Sequence, residues 1–160
     1  MKEPHCYTST IISSVLNQSE LLPAYVSVVQ RLHGESFAIT KDDFRTLLAD
    51  PKEIVAFVLV GNQLVATAQA SLLWTPPDLQ AYINNVVTHA DFGGRGFGSL
   101  VMQTLEQAIK TQWGKNGDRA VKLLLSNSPE KNNGGFYDQL GWTNRGPASP
   151  HPTVMWIKTI

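Results

Sequence analysis

Asp91-Phe92-Gly93-Gly94-Arg95-Gly96-Phe97-Gly98-Ser99 separates a strand-like run, Ala81 to Thr88, from a helically periodic run, Leu100 to Ile109. Four glycines fall within six residues of this stretch. Glycine lets the main chain approach a ligand with no Cβ in the way. The first amides of a helix lack an intrahelical acceptor and carry the positive end of its dipole. The natural occupant of such a loop is therefore an anion, a phosphate or a pyrophosphate.

Two phosphate loops are excluded by spacing. A Walker A loop requires lysine after its last glycine; Gly93 and Gly98 have the right separation, but Ser99 stands in the lysine position. A dinucleotide fingerprint needs a third glycine three residues after the second. Counting from Gly94 and Gly96 that position is Ser99, and from Gly96 and Gly98 it is Val101. What remains is Gly-x-Gly-x-Gly opening a helix.

That loop follows Ala81-Tyr82-Ile83-Asn84-Asn85-Val86-Val87-Thr88 and precedes Leu123-Leu124-Leu125-Ser126-Asn127-Ser128 and Phe136-Tyr137-Asp138-Gln139-Leu140-Gly141-Trp142. In this order the segments resemble the GNAT superfamily of acyl-CoA-dependent N-acyltransferases. Gly93 to Gly98 matches the Gln/Arg-x-x-Gly-x-Gly/Ala motif, and Phe136, Tyr137, Gly141 and Trp142 match Phe-Tyr-x-x-x-Gly-Phe. The resemblance runs from about Ile54 to the C-terminus. It implies an α/β (α+β) fold: a mixed, mostly antiparallel sheet with one splayed parallel strand pair and about four flanking helices. The activity it implies is acetyl transfer from acetyl-CoA to a primary amine of a small molecule or peptide.

The resemblance also implies site residues. The pyrophosphate would lie on the loop Gly93, Gly94, Arg95, Gly96, Phe97, Gly98 and Ser99, with the pantetheine beside the backbone of Val86, Val87 and Thr88. A bulge there would aim an amide near Val86 or Val87 at the developing oxyanion. Asn127 and Phe136 would contact the cofactor arm, and Tyr137 would protonate the departing thiolate. A tyrosine at about 10 lies roughly 1.5 units above a thiol at about 8.5, a workable match for a general acid. Packing alone also explains Phe136, Tyr137 and Leu140.

Three departures from the motif matter. Asn84 and Asn85 stand where many relatives carry a carboxylate base, and an amide accepts no proton. Deprotonation then falls to water held by backbone carbonyls and by Asn84 or Asn85, to Glu35 in the loop after the first helix, or to His89 or His33, unless the acceptor is itself weakly basic. Gly93 replaces the usual glutamine or arginine, for which Arg95 could substitute with a charge-assisted phosphate contact. Glu130 and Asn133 replace the common asparagine and alanine of the last helix.

Composition suits this reading without suggesting it. The 160 residues, 42% hydrophobic, suit one domain spanning 1–160. Thirteen basic and thirteen acidic residues cancel, so neither nucleic acid nor membrane is implied as partner. Cys6 is the single cysteine, which rules out an internal disulfide or a cysteine metal cluster. No metal site is expected. No apolar stretch approaches the length of a membrane span, and Met1 to His5 lacks a signal-peptide core. A cytoplasmic setting is expected, and a homodimer is left open.

Along the chain, periodicity predicts helices over Leu21 to Leu32, from a Thr40 cap to Leu48, from Ser99 onward, and over Lys131 to Leu140. Strands are predicted at Ile54 to Val60, Gln63 to Leu73, Ala81 to Thr88, Val121 to Leu125, Trp142 to Asn144 and Val154 to Ile160. Gly61-Asn62 predicts a hairpin. A crossover should leave Tyr82 to Val87 parallel to Val121 to Leu125. Two other functions compete: a non-catalytic coenzyme A sensor or interaction module, and a nucleotide-phosphate binder on the same loop.

Overall fold

The computed structural model describes residues 2–75, 78–127, 134–148 and 153–160. Among them lie seven strands: β1 (Pro4–Thr8), β2 (Glu53–Val60), β3 (Gln63–Thr75), β4 (Asp78–Thr88), β5 (Val121–Asn127), β6 (Thr143–Ala148) and β7 (Thr153–Thr159). Five helices accompany them: α1 (Ser9–Ile12), α2 (Gln18–His33), α3 (Lys41–Ala49), α4 (Phe97–Gln112) and α5 (Gly134–Gln139). The strands form one mixed sheet in the order β1-β2-β3-β4-β5-β7-β6, with β4 and β5 parallel. This is the expected architecture with an additional short helix. The chain divides into two compact units, Met1–Ser71 with Asn84–Ala108, and Leu72–Ile83 with Ile109–Ile160.

In the first unit β2 is almost continuously apolar and its interior is buried throughout, as a strand covered on both faces should be. Gly61, at φ +63, and Asn62 turn the chain so that Val60 pairs with Gln63 and Glu53 with Ser71. On the other edge of β2, Pro4 to Thr8 pair antiparallel with Val60 to Ala56. The core gathers Leu21, Tyr25, Val28 and Val29 of α2, Phe44 and Leu48 of α3, Ile12 of α1, and Val55, Phe57, Leu59, Leu64 and Val87 of the strands.

Caps fix both long helices of this core. Thr40 Oγ1 accepts the Asp43 amide at 3.1 Å, as its place in the sequence predicts. Asn17 Oδ1 accepts the Glu20 amide at 3.0 Å and starts α2 three residues earlier than the apolar pattern suggests. Asn17→Ala removes the side-chain cap, leaves that amide only its 3.1 Å bond to the residue 17 carbonyl, and should destabilise the fold by about 1 kcal/mol. Denaturant titration will read this as a lower midpoint at unchanged slope.

In the second unit, Leu79 to Tyr82 pair parallel with Val121 to Leu124, and β5 pairs antiparallel with β7 from Lys122↔Thr159 to Asn127↔Val154. The parallel ladder is thus displaced from the expected Tyr82 to Val87. It ends at Tyr82↔Leu124, although β4 itself runs to Thr88. Part of the predicted helix over 131–140 lies outside the described residues; what is described is α5, a single short helix ending before Gly141, at φ +81.

Candidate active site

The glycine loop and the end of β4 belong to the first unit. A 3-10 turn, Ala90–Phe92, leads from β4 into the loop. Gly94 and Gly96 adopt φ +72 and +83, the left-handed region that side-chain-bearing residues avoid. A Cβ at either position would meet nothing within 4 Å, so backbone conformation rather than crowding demands glycine there. The Gly96 carbonyl accepts the Leu100 amide at 3.0 Å, the first intrahelical bond of α4. The amides of Phe97, Gly98 and Ser99 are left as the orphan donors of the helix start.

Aromatic contacts brace this loop. Phe97 is buried, with its ring 6.0 Å from that of Phe92, and the Arg95 guanidinium carbon lies 5.4 Å from the Phe92 centroid. Arg95 is exposed, so its stacking leaves the cation in solvent. His89 accepts the Asp91 amide on Nδ1 at 3.2 Å, while its own amide donates to the Val65 carbonyl at 2.7 Å. That engagement makes His89 a cap for the turn.

Within β4, Asn85 has φ +50, a left-handed residue inside a strand. Asparagine tolerates this region better than most side chains. Asn84 Oδ1 is buried with no hydrogen-bond partner among the described residues. An unpaired buried carbonyl is costly, and a ligand donor is one way to satisfy it. Val86 is half-buried and Val87 buried. The Thr88 carbonyl accepts from Arg31 Nη1 of α2.

The Asn85 side chain is the centre of a polar chain that the sequence did not reveal. Its Oδ1 lies 2.6 Å from His33 Nε2 and its Nδ2 donates to Gln69 Oε1 at 3.1 Å. Gln69 Nε2 donates in turn to Glu53 Oε2 at 2.8 Å, where Ser71 Oγ also donates at 2.9 Å. Glu35, in contrast, is exposed, and its backbone carbonyl rather than its carboxylate is engaged, by Gln30 Nε2 at 3.3 Å.

Tyr137 lies in the second unit, on α5, only 6% exposed and set among Phe136, Trp142 and Trp156 at ring distances of 5.0, 6.2 and 5.5 Å. Asn127 Oδ1 accepts the Trp156 indole N–H at 3.1 Å, which orients the amide. Tyr82 and Ser126 hydroxyls meet at 2.7 Å across the parallel pair. Glu130, Asn133 and Ser128 lie outside the described residues.

Burial pushes the Tyr137 phenol up to about 12. Tyr25 is likewise pushed up to about 12, first by burial, with a hydrogen bond to Asn85 opposing and the Glu53 charge reinforcing the rise. Both native phenols hold their proton above the ordinary value of about 10. Their contribution to stability is complete below about pH 10 and is lost as pH rises through about 12. An ultraviolet phenolate titration should show Tyr25 and Tyr137 ionising late, together with alkaline unfolding.

Several solved structures share this fold. The glucosamine-6-phosphate N-acetyltransferase of Arabidopsis thaliana superposes with a TM-score of 0.71 at 15% identity, covering 94% of this chain and 98% of its own. The GNAT domain of S. lividans PAT gives 0.73 at 13% identity, covering 98% and 90%. A GNAT-family acetyltransferase of Streptococcus pneumoniae gives 0.68 at 16%, covering 99% of both chains. No curated protein sequence matches significantly. These likenesses show the fold; the class, an acyl-CoA N-acetyltransferase, follows from a family match. Residues 19–142 match the model of the Acetyltransferase (GNAT) family, and the chain belongs to that family. Among the described residues no helix is long and apolar enough to cross a membrane.

Proposed function

We propose that the protein transfers an acetyl group from acetyl-CoA directly to a primary amine of a small molecule or peptide, acting as a single domain over 1–160. The observation that carries this reading is the pair of left-handed glycines, Gly94 and Gly96, opening α4 directly after β4. The amides of this loop hold the diphosphate, with Gly93, Arg95, Phe97, Gly98 and Ser99 completing the cradle. The backbone of Val86, Val87 and Thr88 holds the pantetheine arm, and Asn127 and Phe136 take its remaining contacts. The buried, unpaired Asn84 Oδ1 suits a ligand amide or a water on the acceptor amine.

When bound, acetyl-CoA supplies an activated thioester. An amide of the Val86–Val87 stretch stabilises the oxyanion that forms from its carbonyl. Tyr137 gives its proton to the departing sulfur. Glu35, exposed near the start of the loop after α2, is a carboxylate that can receive, through water, the proton a base has taken from the amine. A reducing, cytoplasmic setting suits the lone exposed Cys6.

The test is thiol release from acetyl-CoA with a panel of amines: glucosamine 6-phosphate, spermidine, phenethylamine and a lysyl peptide. Release stimulated by at least one amine supports the reading. The absence of a strand carboxylate at Asn84 and Asn85 favours a second reading, a coenzyme A-binding module without turnover. Tight coenzyme A binding with no amine stimulating release would select it.

A further inference from the structure

We propose that His33 is the general base of the transfer, with its tautomer fixed by a one-way chain of hydrogen bonds ending on Glu53. This rests on the reading of the protein as an N-acyltransferase. The chain lies wholly within the first unit and its direction follows from donor and acceptor chemistry. An ionised carboxylate only accepts, so the group facing Glu53 Oε2 at 2.8 Å must be Gln69 Nε2. Gln69 then turns Oε1 toward Asn85, which must answer with Nδ2, at 3.1 Å. Asn85 is left presenting Oδ1 to His33 at 2.6 Å, and the imidazole must donate from Nε2.

With Nε2 committed as donor, the neutral ring carries its lone pair on Nδ1. Among the described residues nothing hydrogen-bonds that atom, and the residue is exposed at the last position of α2. The ring is held on its other side by stacking on Phe37, at 5.6 Å and 25°. Fixing one nitrogen through a second group so that the other can act is the arrangement a histidine base requires. The chain also ties the base to the reaction strand. Asn85 is the left-handed residue of β4, flanked by Asn84 with its unpaired oxygen and by Val86. Thus the missing strand carboxylate is replaced by an amide that relays the polarity of a carboxylate on β2.

In the reaction His33 Nδ1 takes a proton from the ammonium form of the acceptor and passes it to water. The freed nitrogen pair forms the C–N bond, and the C–S bond breaks with its electrons on sulfur. Tyr137 protonates that sulfur and is reprotonated, through water, by the second hydrogen lost from nitrogen. His33 is the base that contacts the amine; Asn85, Gln69 and Glu53 are positioning residues.

The experiment is long-range proton–nitrogen NMR correlation of the histidines in labelled protein, with His33→Ala assigning the signal. The wild type should show neutral His33 protonated on Nε2, with a proton protected from exchange. Asn85→Gly, which a left-handed backbone accepts without strain, should remove that protection. It should also lower amine-dependent thiol release about tenfold or more with coenzyme A affinity unchanged. His33→Ala should lose about a hundredfold and recover part of it with added imidazole. A wild-type Nδ1–H tautomer, protection surviving in Asn85→Gly, or full activity in His33→Ala would overturn the proposal. Absence of coenzyme A binding overturns the transferase reading and with it the base role, while the Nε2–H signature persists, so the two failures are distinguishable.

Discussion

Tyr137→Phe is expected to lower the turnover number about a hundredfold while leaving coenzyme A affinity unchanged, because a general acid contributes typically 10²–10⁴-fold in rate. Phenylalanine keeps the ring among Phe136, Trp142 and Trp156, so thermal stability should change little. The structure refines the chemistry expected of this residue. With the phenol at about 12 the gap to a thiol at about 8.5 widens to roughly 3.5 units. A donor so weak keeps its proton through the working pH range and releases it only as full charge develops on sulfur. Steady-state kinetics at saturating amine, with calorimetric coenzyme A affinity alongside, checks the split. An unchanged turnover number removes Tyr137 from the mechanism and leaves it a packing residue.

Gly96→Val should weaken coenzyme A binding by about tenfold or more. At φ +83 a β-branched residue is strained by about 1–3 kcal/mol, and the loop can escape only by abandoning the conformation that exposes its amides. Each 1.4 kcal/mol of that loss is about tenfold in affinity. Gly146→Val is the control. Gly146, on β6, has the same φ of +83 and an added Cβ would meet nothing within 4 Å, so it carries the same strain away from the loop and binding should stay near wild type. Equal losses in both variants would mean that the left-handed turn has no part in binding.

Much of the fold is legible in the sequence because its signals are local. The apolar run of β2, the Gly61-Asn62 turn, the Thr40 cap and the periodicity of α4 each act within a few residues. Pro4–Thr8 and Ser9–Ile12 escaped notice because an edge strand with three exposed residues and a four-residue helix carry no period long enough to read. The displaced parallel ladder was hidden for a different reason. Asn85 leaves the β region inside β4, and nothing in Asn84-Asn85-Val86 announces that.

The site shows the same division. The glycine loop is visible as a motif because helix starts and glycine conformations are local properties. The histidine chain is not, since the register that sets Glu53 opposite Ser71 also brings Gln69 onto the same face, and α2 must pack over both before His33 can reach Asn85. Sequence alone put Glu35 ahead of His33 and His89 as the base. Hydrogen bonding separates them: His89 caps a turn, Glu35 stands in solvent, and His33 is held through Asn85.

Titration calorimetry of the folded protein with coenzyme A and with acetyl-CoA tests the central claim most directly. Saturable heat at one site per chain, weakened in Gly96→Val and retained in Gly146→Val, is the predicted result. No heat from either ligand with a folded sample would contradict the account.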